Sequence, residues 1–133
     1  MRSIIIAIVL LSGIACKKQV EADEYYVKYM LNSTHYQIGG NLLVDVAKED
    51  GSNLPSILVP IRQDWEITIG PVKKGFRARL TATKSGWNGI TVENHLKIYL
   101  QIHISKNDGP FALKELNGSD SPRATATTEH TIQ

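Results

Sequence analysis

Cys16 is the single cysteine of this 133-residue chain, and its surroundings give it a specific chemistry. Gly13-Ile14-Ala15 stands just before it, and the apolar run Ile4 to Leu11 follows Arg2. A positive residue, an apolar run and a small-residue cut site make up a secretory signal. A thiol at the first position after that cut is where an exported bacterial protein can take a lipid anchor. The sequence therefore predicts a signal peptide over residues 1–15 and lipidation of Cys16 with fatty acyl chains such as palmitate. Gly13 departs from the Leu usual three places before such a cysteine, and ordinary signal peptidase would cut the same bond. Cys16 would then be a free thiol able to pair with a second copy. The apolar run is far shorter than the roughly 20 residues a spanning helix needs.

The other chemistry-bearing residues are scattered. His95 and His103 alternate onto one strand face, but they are eight positions apart. At ~3.3 Å per residue that is roughly 26 Å, too far to share a metal. No His-x-His, cysteine pair or clustered carboxylates supply metal ligands. His35, His95, His103 and His130 are thus expected as exposed histidines on a wet sheet face, with no metal and no cofactor. Ser85-Gly86 and Gly118-Ser119-Asp120 are turn sequences without the base and orienting partner that a nucleophile needs. Asp64 with Glu66, or Asp120 with Glu129, are nominal acid pairs, but nothing in the sequence puts either in one cleft. The expectation is a chain with no catalytic residues.

Two features could contact a ligand. No acid occurs from Ile67 to Val92, while Lys73, Lys74, Arg77, Arg79 and Lys84 fall inside that stretch. Arg77 and Arg79 share a face by strand parity. Such a patch could meet anionic headgroups or an acidic glycan. The competing reading is a solvated strand face whose acids come from a neighbouring strand. Trp87 sits in the polar loop Lys84–Asn94, where it could anchor a glycan or protein, or fold back over one end of the domain. Trp65 is assigned to the core. Without residues 1–15 the chain keeps 14 Lys/Arg against 13 Asp/Glu, since only Arg2 is removed. That balance argues against nucleic acid, which calls for a strongly basic face.

The elements that must position these residues are strands. Leu96, Ile98, Leu100, Ile102 and Ile104 alternate with polar residues from His95 to Ser105. That is the period of a half-buried antiparallel strand. Phe76–Thr83 and Tyr25–Leu31 alternate likewise. Leu42–Ala47, Ser56–Ile61, Trp65–Ile69, Phe111–Leu116 and Ala124–Ile132 are further strands. Asn107-Asp108-Gly109 is a hairpin turn, and the prolines fall at strand ends. Seven to eight short strands predict an all-β, immunoglobulin-like antiparallel β-sandwich over residues 25–133. A partly open β-barrel is the alternative. Residues 16–24 form the lipidated cysteine and a solvated tether.

Three stretches, Glu24-Tyr-Tyr-Val-Lys-Tyr29, Asp64 to Phe76 and Lys97 to Phe111, resemble a group of small, uncharacterised lipoproteins of gut-type Bacteroidetes. The resemblance covers most of the domain. It implies a β-sandwich lipoprotein and brings no catalytic residues. The acids that accompany surface display in that group come late here, at Glu21, Asp23 and Glu24, behind Lys17 and Lys18. The expected place is the cell envelope, lipid-anchored at the outer membrane, facing the periplasm or the surface. The expected role is a non-enzymatic binding or assembly module, or an accessory subunit of an envelope transport or glycan-uptake complex.

Overall fold

The computed structural model describes residues 20–35, 39–85 and 95–133. Their strands are β1 (Tyr25–Thr34), β2 (Asn41–Val46), β3 (Ile57–Pro60), β4 (Trp65–Val72), β5 (Arg77–Ser85), β6 (Lys97–Lys106), β7 (Ala112–Gly118) and β8 (Thr125–Thr131). Alternation sets them. In β1 the odd-numbered residues Tyr25 to Ser33 are all buried and the even-numbered ones are not. Val and Ile favour the pleated, half-buried surface this creates.

The strands form two four-stranded sheets, in the orders β4-β1-β6-β7 and β3-β2-β5-β8. Every pairing is antiparallel. The sheets are open and stack as a β-sandwich, which sets the barrel alternative aside. The two-layer build is that of immunoglobulin-like sandwiches. The strand order is its own, differing from the A-B-E-D and C-F-G order of constant-type immunoglobulin domains. Only the β2–β3 and β6–β7 links stay within one sheet. The Lys73-Lys74-Gly75 turn carries the chain from one sheet to the other.

The core lies between the sheets. Val27, Tyr29, Ile98, Leu100 and Ile102 face Leu42, Val44, Ala78, Leu80 and Ala82, all fully buried. Each large apolar side chain removed from water contributes about 1.5–3 kcal/mol. Tyr29 is buried with its hydroxyl donating to the Ala47 carbonyl at 3.0 Å. Burial pushes its phenol far above the ordinary tyrosine range. Trp65 packs against this core but stays half-buried at the start of edge strand β4.

Two expectations change. His35 is buried rather than exposed, because it continues the inward parity of β1 past Thr34. Its ring meets His95 edge-on, with centroids 6.3 Å apart. His103 and His130 are also half-buried, His103 with Nε2 2.7 Å from Gln101 Oε1 and His130 with Nδ1 3.0 Å from Glu115 Oε1. Pro71 lies inside β4 rather than beyond it, which an edge strand tolerates because one side of its backbone is unpaired.

The sandwich has two distinct ends. At one, the β6–β7 turn holds Asn107 and Asp108 at φ 49 and 59, a conformation that Asn and Asp tolerate best among residues with a side chain. The chain preceding β1 docks on this turn. Lys106 Nζ lies 2.7 Å from Asp23 Oδ2. Asn107 N–H donates to the Glu24 carbonyl at 2.8 Å, and Glu24 N–H donates to Asn107 Oδ1 at 2.9 Å. Asn107 Nδ2 donates to Asp23 Oδ1 at 2.9 Å. The far end carries the β3–β4 turn and the β7–β8 link.

Candidate ligand-binding face

Cys16 and Trp87 lie outside the described residues. Arg77 and Arg79 point outward together from β5, as parity requires. The basic face they form is not bare. Arg77 Nε donates to Glu129 Oε2 of β8 at 3.1 Å, and Nη2 donates to the same oxygen. Arg79 Nη2 donates to Asn53 Oδ1 at 3.1 Å. The neighbouring strand thus supplies an acid that the sequence between Ile67 and Val92 lacks. The hollow beside Arg77 and Arg79 is small, about 230 Å³. Small-ligand clefts run to ~300–1,000 Å³. Lys73 and Lys74 are exposed at the sandwich end where residues 23 and 24 dock.

The larger concavity is on the opposite sheet. A groove of about 600 Å³ opens on the outer face of β4-β1-β6-β7, toward the far end. Its floor is a row of cross-strand neighbours spanning all four strands: Glu66, Met30, Gln101 and Leu116. The next row brings Asn32 beside Tyr99, and Tyr99 beside Gly118. Asp64 and Trp65 close the groove at the β4 edge. Asn32 Nδ2 donates to Asp64 Oδ1, which fixes the β3–β4 turn over β1.

Tyr99 is held by what lies under and beyond it. A Cβ on Gly118 would meet Tyr99 Cδ1 at 2.6 Å, so the ring occupies the space a side chain there would take. The tyrosine leans toward β7 with its Cδ1 edge against Gly118. Its hydroxyl donates to Asp120 Oδ1 at 3.0 Å, and Lys97 Nζ stands 3.7 Å from the same oxygen. Desolvation beside these groups and the Asp120 carboxylate raise the phenol pKa above its ordinary value.

Chemically, the groove pairs aromatic and aliphatic surface with a few polar groups that fix orientation, the usual makeup of a small-molecule site. Among the described residues no lysine or arginine lines it, while Asp64 and Glu66 do. No group of three His, Cys, Asp or Glu side chains among the described residues converges as metal ligands would. No family model matches this sequence, and no curated protein matches it.

Sequence reasoning missed Tyr99, Gln101, Met30 and Leu116 as a set. Alternation marks Tyr99 and Gln101 as outward-facing, but nothing local shows that Gly118 lies beside Tyr99. Asp64 and Glu66 were visible as an i, i+2 acid pair without a cleft. The structure places both on the groove.

Proposed function

We propose that this chain is a non-enzymatic binding module of the cell envelope, exported by residues 1–15, lipid-anchored through Cys16, with the β4-β1-β6-β7 groove as its ligand site. One observation carries the reading. The chain enters the domain at the β6–β7 turn, whereas the groove opens toward the far end of the same sheet. Tyr25 and Asn32 stand seven residues apart along β1, roughly 23 Å at ~3.3 Å per residue. An anchor at Cys16 would hold the docked end toward the bilayer and leave the groove nearer the end remote from it. Asp23 is seven steps along the chain from Cys16, a reach of at most about 25 Å. Among the described residues no helix is long and apolar enough to cross a membrane.

Intact mass of the protein extracted from membranes tests the anchor. The expected species is residues 16–133 plus two or three acyl chains. An unmodified mature mass in the soluble fraction overturns it.

A second reading, an accessory subunit of an envelope transport or glycan-uptake complex, is favoured by a different feature. Leu113 and Leu116 of edge strand β7 are 50% and 59% exposed, and Phe111 beside them is 38% exposed. Exposed apolar side chains in a cluster mark protein contacts. A stoichiometric protein recovered with the detergent-solubilised chain, and released by Leu113→Ser, would support that role.

A further inference from the structure

Building on the reading of the groove as a ligand site, we infer that it takes an uncharged, hydroxyl-rich saccharide chain, stacked on the Tyr99 ring. The first ground is the platform. Tyr99 lines the groove beside its floor row, with its Cδ1 edge turned to Gly118. The Asp120 hydrogen bond ties down its free end. Flat C–H faces of a pyranose suit such a ring, and a ring fixed in advance loses little rotamer freedom on binding.

The second ground is the balance of donors and acceptors. Ionised Asp64 and Glu66 only accept hydrogen bonds, while Asn32 and Gln101 do both. Asn32 already spends a donor on Asp64, and Gln101 Oε1 lies 2.7 Å from His103 Nε2. Among the described residues the Glu66 side chain has no hydrogen-bond or ion-pair partner, and it is exposed on the floor row. Gln101 keeps its two N–H donors, and the Asp64 and Glu66 oxygens outnumber them as acceptors, so the lining asks for a ligand that mainly donates. Hydroxyl groups supply donors and can also accept from the amides.

The third ground is charge. An anionic chain would bring its carboxylates or sulfates against Asp64 and Glu66 with no lysine or arginine among the described lining residues to offset them. The groove thus excludes acidic ligands. Its shape favours a chain over a single ring. The floor row crosses four strands, about 14 Å at ~4.8 Å per strand spacing, and alternates acid, apolar, amide and apolar residues. A saccharide chain presents the same alternation of hydroxyl edges and C–H faces.

Calorimetry on the full chain in detergent tests this with neutral hexasaccharides (xylohexaose, mannohexaose, cellohexaose) and with hexagalacturonate as the acidic probe. The expected result is saturable binding of at least one neutral probe and none of hexagalacturonate. Tyr99→Ala should weaken the neutral binding at least tenfold. Gly118→Ala should weaken it severalfold by displacing the ring, although it removes no lining side chain. Arg77→Ala should leave it unchanged, and circular dichroism melts confirm that each variant is folded. Equal or tighter binding of hexagalacturonate overturns the inference and leaves the binding-module reading standing. So does loss of binding in Arg77→Ala but not in Tyr99→Ala. No binding of any neutral probe at millimolar concentration also overturns it. A stoichiometric membrane protein released by Tyr99→Ala would assign the groove to a protein and overturn the saccharide and lone-module readings together.

Discussion

Tyr99 occupies the space above Gly118, with ring atom Cδ1 2.6 Å from where a β-carbon on that glycine would sit. The glycine is therefore a packing requirement of the tyrosine. A methyl group there would lift the whole ring, because the crowded atom belongs to the ring and not to the end of a flexible chain. Gly118→Ala is expected to break the Tyr99–Asp120 hydrogen bond while leaving the β6–β7 pairing intact. In NMR spectra the ring-current shift on the Gly118 α-protons marks the wild-type placement. The alanine variant should lose the corresponding shift on its own α-proton. A retained shift, or a disrupted β7, would show that the ring is not packed as described.

Tyr29→Phe tests the polar contact inside the core. The hydroxyl satisfies the Ala47 carbonyl, and removing it leaves that oxygen without this donor beneath the second sheet. The expected loss is about 1–3 kcal/mol, read from urea unfolding. The same residue predicts alkaline behaviour. Burial raises its folded pKa above the unfolded value of 10.0, so its contribution is complete below pH 10 and declines as pH rises beyond it. Stability of the Phe variant should fall less steeply than that of the wild type above pH 10. Parallel curves would assign the alkaline loss to other groups.

The sandwich was legible because the side-chain period of a strand is 2 and the buried residues keep to it. Tyr25, Val27, Tyr29 and Leu31 point inward, as do Ile98, Leu100 and Ile102. The groove was not legible, because it depends on register between strands. The β6–β7 pairing shifts between Ile102 and His103. That irregularity puts Leu113 and Leu116, three residues apart, on the same outer face opposite His103 and Gln101. Simple alternation would separate them. The run without acids misled for a related reason. Glu129 is 52 residues from Arg77 in sequence, and only the β5–β8 pairing brings them together.

That pairing gives a prediction of a small effect. Arg77 and Glu129 are a surface ion pair, with the arginine side chain 68% exposed. Exposed pairs contribute about 0.2–1 kcal/mol, and salt screens them. Arg77→Ala and Glu129→Gln should each change unfolding free energy by less than about 1 kcal/mol, with the difference shrinking at high salt. A double-mutant cycle measures the coupling directly. A coupling of several kcal/mol would mean that the pair is shielded from solvent, contrary to its exposure.

Leu100→Ala tests how the fold holds without a disulfide. Leu100 is fully buried in β6, flanked by β1 and β7. Truncation should cost about 2–5 kcal/mol through lost burial and the cavity left behind. A domain of this size has only some 5–15 kcal/mol in hand. The variant should therefore melt well below the wild type, in one cooperative transition. An unchanged melting temperature would mean that the two sheets do not share this core.

The docked segment before β1 has its own pH window. Hydrogen bonds from Lys106 and Asn107 hold the Asp23 carboxyl below its ordinary value of 3.8. The Asp23 hydrogen bond in turn holds Lys106 above 10.5. For the acid, a lowered folded pKa means the contact is complete above the unfolded value and is lost as pH falls through the folded one. For the lysine, a raised folded pKa means the contact is complete below 10.5 and is lost as pH rises beyond the raised value. The dock should therefore stay closed between about pH 4 and pH 10 and open at both extremes. Both side chains are solvent-accessible, so Asp23→Asn should leave the melting temperature of the sandwich at neutral pH unchanged. An NMR titration following the Asp23 carboxyl carbon and the Asn107 amide reads it directly. Asp23→Asn should return Lys106 toward 10.5, and Asn107→Gly should release the segment while keeping the turn, since glycine accepts a φ of 49. If Asp23 titrates at its ordinary value with Lys106 intact, the segment is not docked. The orientation argued for the groove then loses its support, because a free tether would let the domain present any face to the bilayer.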